Sequence, residues 1–73
     1  MNPLKILSVI EALLFVVGEE GISLEQLAAI TGASEASLLE ALDTLKIKLK
    51  ESEERGLELV EVAHRYQFVT KHD

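Results

Sequence analysis

The chain has no cysteine, a single proline and three aromatic residues (Phe15, Tyr66 and Phe68) among its 73 positions. Without cysteine there is no disulfide framework and no thiolate metal site. That usage fits a reducing compartment, and the chain reads as cytoplasmic. Histidine is also sparse: His64, between the two strand-like runs, and His72, near the end of the sequence, are separated from each other and lack a nucleophile with an orienting group, so no catalytic constellation forms and no enzyme activity is expected. Neighbouring Glu19 and Glu20 read as solvated acids in a loop. No metal or cofactor site is expected, because no histidine pair stands at helical spacing.

A long hydrophobic run is also missing. The most apolar stretch, Leu4 to Val17, is broken by Lys5, Ser8 and Glu11 and falls short of the roughly 20 residues that span a bilayer. Glu11 within that stretch, followed by Gly18, Glu19 and Glu20, does not suit a secretory signal either. The scarcest feature is positive charge in the first half. Lys5 is the one base from Met1 to Leu45, against seven acids, whereas six bases meet six acids from Lys46 to Asp73. The formal net charge of -6 therefore belongs to the first half, which disfavours nucleic acid and favours a basic partner.

Within that acidic half the helical signals are strong. Asn2 suits an N-cap with Pro3 in the first helical position, and Gly18 suits the helix end. At about 100° per residue, Ile6, Ile10, Leu13 and Val17 form the centre of a core stripe, flanked by Leu7, Val9, Leu14 and Val16. Leu4 and Phe15 fall on the polar side, so this helix carries more apolar surface than one small core consumes. For Leu4 the alternatives are covering a helix end or meeting a partner, and for Phe15 folding under a later element or meeting a partner.

Gly18 to Ile22 reads as a loop. Ser23 and Gln26 then match a capping box, which starts a short helix from Leu24 to Thr31 with Leu27 and Ala28 facing inward. Gly32 suits a left-handed C-cap. Ser34 caps a third helix running to around Glu54, with Leu38, Leu42, Leu45 and Leu49 in one narrow stripe. Ala28, Gly32 and Leu38 have the spacing of a helix-turn-helix, with Ala28 where the two helices cross. From Ser34 to Glu40, however, there is no lysine or arginine to meet a phosphate. Lys46, Lys48 and Lys50 spread over more than one face and read as a solvated helix end. Ile47 lies opposite the leucine stripe and is assigned to a partner.

Two strand-like runs follow Gly56, Leu57 to Ala63 and Tyr66 to Thr70. The inward phase changes between Leu59 and Val60, which implies a bulge or a strand covered on both faces. His64 and Arg65 stand between the runs and lack the Asn or Gly of a primed two-residue turn, so a wider or strained loop is expected. The fold class is therefore α+β, a winged helix of three helices followed by a β-hairpin wing, with residues 1–73 as one small domain. A chain this short buries only about 60% of its unfolded surface, so a partner surface would add to its stability.

Several segments resemble one family. Ile10-Glu11-Ala12-Leu13-Leu14-Phe15-Val16, Gly18-Glu19, Ser23-Leu24-Glu25-Gln26-Leu27-Ala28, Gly56-Leu57-Glu58-Leu59-Val60-Glu61-Val62-Ala63 and Tyr66-Gln67-Phe68-Val69-Thr70-Lys71 are similar to the amino-terminal winged-helix domain of the segregation and condensation protein B family. The resemblance implies a bacterial, cytoplasmic, non-enzymatic subunit associated with the nucleoid through its complex. That subunit joins a kleisin, segregation and condensation protein A, to the SMC ATPase that condenses and segregates chromosomes. Family members pair as homodimers through this domain and grip a middle segment of the kleisin. The family's second winged helix has no counterpart here, so a fragment or truncated form is expected, and His64-Arg65 stands where a glycine-rich turn is the rule. Leu4, Leu7, Phe15 and Ile47 are the candidate dimer or partner residues, with no cofactor, no membrane contact and no sequence-specific DNA reading. The alternative is a winged-helix DNA-binding transcriptional regulator, which salt-sensitive duplex binding would reveal.

Overall fold

The computed structural model describes residues 2–51 and 56–70. Helix α1, Pro3–Val17, begins where Asn2 Oδ1 accepts the Lys5 amide at 2.9 Å and ends where the Gly18 amide donates to the Leu14 carbonyl. A single 3-10 turn, Gly18–Glu20, leads into β1, Ile22–Ser23. Helix α2, Leu24–Thr31, opens with the expected capping box: Gln26 N donates to Ser23 Oγ at 3.1 Å, and Ser23 N donates to Gln26 Oε1 at 3.0 Å. Two orphan amides are thereby satisfied by neighbours three residues apart. At the other end Gly32 takes φ 71°, ψ 7°, the left-handed geometry that residues with a Cβ resist, and its amide reaches the Ala28 carbonyl at 2.8 Å.

Thr31 secures the same corner, donating from Oγ1 to the Leu27 carbonyl and accepting from the Ala33 amide. Ser34 Oγ then accepts the Ser37 amide at 3.2 Å and starts α3, Glu35–Glu51. The expected extension of this helix toward Glu54 lies outside the described residues. Strands β2, Leu57–Val62, and β3, Arg65–Thr70, form the wing. Three helices and an antiparallel hairpin make the expected α+β winged helix.

The core is built from Ile6, Ile10 and Leu14 of α1, Ile22 of β1, Leu27 of α2, Leu38, Ala41, Leu42, Leu45 and Leu49 of α3, and Leu59 of β2. All four leucines of the α3 stripe are buried, as their spacing requires. On α1 the buried row is Ile6, Ile10, Leu14, an i, i+4, i+8 ridge, rather than the Ile6, Ile10, Leu13, Val17 row, whose last two members are only partly buried. Val16, expected on the flank of the stripe, is 82% exposed. Helix α1 is apolar nearly all round, so periodicity alone leaves its rotation open. Packing against α3 and the sheet selects one ridge.

The Gly18 to Ile22 segment is not simply a loop. Ile22 and Ser23 pair with Tyr66 and Arg65, adding a third strand in the order β1-β3-β2. Two residues show no alternation, so only long-range pairing makes them a strand. The bulge is also absent: β2 and β3 pair without interruption from Leu57 opposite Thr70 to Val62 opposite Arg65. Leu59 is buried in the core while Val60, one residue on, is partly covered on the opposite face.

The hairpin loop is one residue earlier than expected. Ala63 and His64 form a two-residue turn, and Arg65 belongs to β3. Both loop residues have positive φ, 51° and 65°, the primed geometry that matches strand twist but strains residues with a Cβ. Tight pairing on either side holds them there. Replacing Ala63-His64 by Asn-Gly is expected to stabilise the domain by about 1 to 2 kcal/mol, seen as a higher midpoint in urea at unchanged slope. An unchanged midpoint would mean that the turn stores no strain.

Candidate partner-binding surfaces

Helix α1 presents two apolar patches on its outer side. At the amino-terminal end Leu4 is 78% exposed, while Leu7 is partly buried against the core. Together with Ile6, and with Ser37, Glu40, Ala41 and Thr44 of α3, they line a hollow of about 280 Å³. Leu4 therefore rims a depression between two helices. Phe15 lies eleven residues further, about 16 Å along the helix axis, on the same outer side. Its ring packs edge-on against Phe68 of β3, centroids 4.9 Å apart at 63°, and it remains 60% exposed. It thus meets both alternatives in part: one edge folds against the wing and the other face stays open.

Ile47 is 50% exposed and points away from the buried α3 stripe. It follows Glu40 by seven residues and Thr44 by three, so it stands one turn beyond the α3 wall of the Leu4 hollow. The structure brings Leu4 and Leu7 together at one hollow and leaves Phe15 at the far end of α1, while Ile47 lies outside that hollow's lining, further along α3. Val16, 82% exposed, stands about 100° round the helix from Phe15, on a different flank of α1.

A second concavity separates the helix-turn-helix from the wing. Its volume is about 880 Å³, with Leu24, Ala28 and Leu39 on the helical side and Tyr66 on the wing. Glu25 of α2, Glu35 of α3 and Glu61 of β2 stand on it, as do Ala63, His64 and Arg65. Arg65 turns its guanidinium toward the Glu20 carbonyl, donating at 3.3 Å. Burial, then the charges of Glu61 and Glu35, push the Tyr66 phenol above its ordinary value. Leu39 is 44% exposed here, a site residue that sequence reasoning missed. Its one signal was its place beside, not within, the leucine stripe. Ala28, expected at the helix crossing, packs against the core and also faces this groove.

Glu35 and Glu40 do not share a surface, although both stand in the stretch from Ser34 to Glu40. Glu35 faces the wing groove and Glu40 faces the Leu4 hollow. A duplex laid along α3 against the wing would meet Glu25, Glu35 and Glu61. Among the described residues no group of His, Cys, Asp and Glu is placed to hold a metal ion, and no helix is long and apolar enough to cross a membrane.

With an acidic helix-turn-helix, a short wing and open apolar surface on α1 in place, comparison with known proteins is decisive. The family model described as segregation and condensation complex subunit ScpB matches residues 8–73. This chain belongs to the ScpB family. Segregation and condensation protein B of Streptococcus equi subsp. equi (strain 4047) is 51% identical to it over 65 residues, covering 89% of this chain and 36% of that protein. The protein of the same description from Streptococcus equi subsp. zooepidemicus (strain H70) is 49% identical over 65 residues, with the same coverage. The chain thus spans little more than a third of the length of these ScpB relatives. Among solved structures, a dimer of the ScpB N-terminal domain complexed with ScpA peptide matches with a TM-score of 0.86 and 39% identity, over 97% of this chain and 82% of that one.

Proposed function

We propose that this chain is the dimerising, ScpA-binding winged-helix domain of a non-enzymatic subunit that serves the SMC-kleisin complex in chromosome condensation and segregation. The observation that carries the reading is the likeness, across nearly the whole chain, to a ScpB domain whose solved form is a dimer with an ScpA peptide. Through ScpA the subunit would act on the SMC ATPase, in the bacterial cytoplasm, without reading DNA sequence itself. The acidic surface along α3 and the wing supports that division of labour, because phosphates are repelled there.

Self-association is assigned to the outer side of α1. A twofold interface uses the same patch on both copies, and Leu4 and Leu7 at one end of the helix with Phe15 at the other supply its apolar contacts, Ile47 extending the Leu4 end on α3. Sedimentation at concentrations on the order of tens of micromolar, suited to a modest interface, is expected to give the mass of two chains. The Leu4→Ser/Phe15→Ser variant is expected to give the mass of one. Ile47→Ser should weaken the pairing while leaving thermal stability within about 0.5 kcal/mol, as is usual for exposed positions. A wild-type chain that sediments as a monomer defeats the dimer assignment. An Ile47→Ser variant that melts like a core variant moves Ile47 into the fold.

A further inference from the structure

The groove between the helix-turn-helix and the wing is not used by the α1 pairing surface, and its chemistry is distinct. Its floor is apolar, from Leu24 and Leu39 to the Tyr66 ring, and carboxylates from three separate elements stand along it: Glu25, Glu35 and Glu61. It continues along α3 over Leu42 and Leu59, where Asp43 and Lys46, one turn apart on α3, line a smaller hollow of about 170 Å³ that shares Leu39, Glu61 and Tyr66 with the main one. Of the bases on it, Arg65 is engaged with the Glu20 carbonyl and Lys46 stands at the far end. Four acids thus outnumber two bases. At about 880 Å³ the main groove lies within the range of sites that enclose sizeable ligands. It would hold several residues of an extended chain.

We propose that this groove seats an extended peptide segment of the partner protein that places a lysine or arginine between Glu35 and Glu61 and an apolar side chain over Leu39. The inference rests on the ScpA-binding reading and assigns it a place and a chemistry. An apolar anchor on Leu39 and Tyr66 supplies the desolvated contact, while the carboxylates select a cationic sequence and speed its encounter. A phosphate backbone presents the wrong sign of charge to the same surface. Burial first, and then the charges of Glu61 and Glu35, raise the Tyr66 pKa.

The test is anisotropy titration of overlapping labelled peptides that together cover the ScpA of the same organism. They are run against the wild-type chain, Glu35→Lys/Glu61→Lys, the milder Glu35→Gln/Glu61→Gln, and Leu39→Ser. All three positions are exposed, so circular dichroism melts near wild type are expected, and the glutamine pair keeps the test alive if the lysine pair fails to fold. The binding peptide should contain Lys or Arg and weaken as salt rises. It should bind the lysine pair at least about tenfold more weakly and recover when its own Lys and Arg are replaced by Glu. Leu39→Ser should weaken it without changing the salt dependence. Each variant should keep the wild-type sedimentation mass, which separates groove from dimer. If an ScpA peptide binds all variants as well as wild type, the groove assignment falls and the ScpA reading stands. If no ScpA peptide binds the wild type, both fall. Salt-sensitive binding of duplex DNA by the wild type, lost in Leu39→Ser, would give the groove to nucleic acid instead.

Discussion

Replacing Leu38 with alanine is expected to lower the stability of this domain by about 2 to 5 kcal/mol. Leu38 is fully buried near the start of α3, where helices α2 and α3 share the core with Leu27, also fully buried. Truncating it removes transfer free energy and leaves a void that two helices locked by the capping box and the Gly32 corner cannot easily collapse. At about 0.05 to 0.15 kcal/mol per residue, a chain of this length has a total stability of about 4 to 11 kcal/mol. The substitution therefore removes a large share of it, and the melting temperature should fall by about 10 °C or more. Leu39 is the control. One residue along, with 44% of its surface open on the groove, it should lose under about 1 kcal/mol on truncation. Paired thermal melts decide the matter: equal losses at the two positions would place both in the core.

Gly21→Ala is expected to cost about 2 to 4 kcal/mol, from two causes that act together. Gly21 has φ 70° and ψ 174°, a region of backbone space occupied almost only by glycine. A methyl group at this residue would also lie 3.0 Å from the Tyr66 carbonyl oxygen and 3.1 Å from Arg65 Cβ. The first of these is backbone and cannot turn aside. Relief would require β1 to separate from β3, taking Ile22 out of register with Tyr66. Gly32→Ala provides the comparison, since a methyl group there meets nothing within 4 Å and incurs only the left-handed backbone cost of about 1 to 2 kcal/mol. Urea melts of the two variants should rank Gly21→Ala as the more damaging. The reverse order would show that the 3-10 turn can shift away from β3 at little cost.

The two substitutions also mark the boundary of what could be read from the chain. Leu38, Leu42, Leu45 and Leu49 were legible because the four leucines repeat at helical spacing on an otherwise mostly polar helix, which leaves the helical period a single solution. The capping residues Asn2, Ser23, Gln26, Gly32 and Ser34 were legible because each acts within four residues of itself. Helix α1 offered no such single solution. With apolar residues on almost every side, its rotation depended on which ridge fits α3, and the buried row moved from Leu13 and Val17 to Leu14. The same ambiguity hid the exposure of Val16 and left Phe15 open between wing and partner. Its edge-on contact with Phe68, worth about 0.5 to 1.5 kcal/mol in pairs of this kind, joins residues 53 positions apart.

By itself, then, the sequence determined the element types, their caps, the inward face of α3, the acidic character of the helix-turn-helix and, through residues spread from Ile10 to Lys71, the family. Each of these depends on near neighbours or on a pattern with one solution. The tertiary structure alone decided the face of α1, the two-residue strand at Ile22–Ser23, the turn at Ala63 and His64, and the need for glycine at position 21. The physical reason is common to all four. Each is set by groups distant in sequence, whose pairing or packing overrides local preference at positions where the local energies differ by only about 1 kcal/mol.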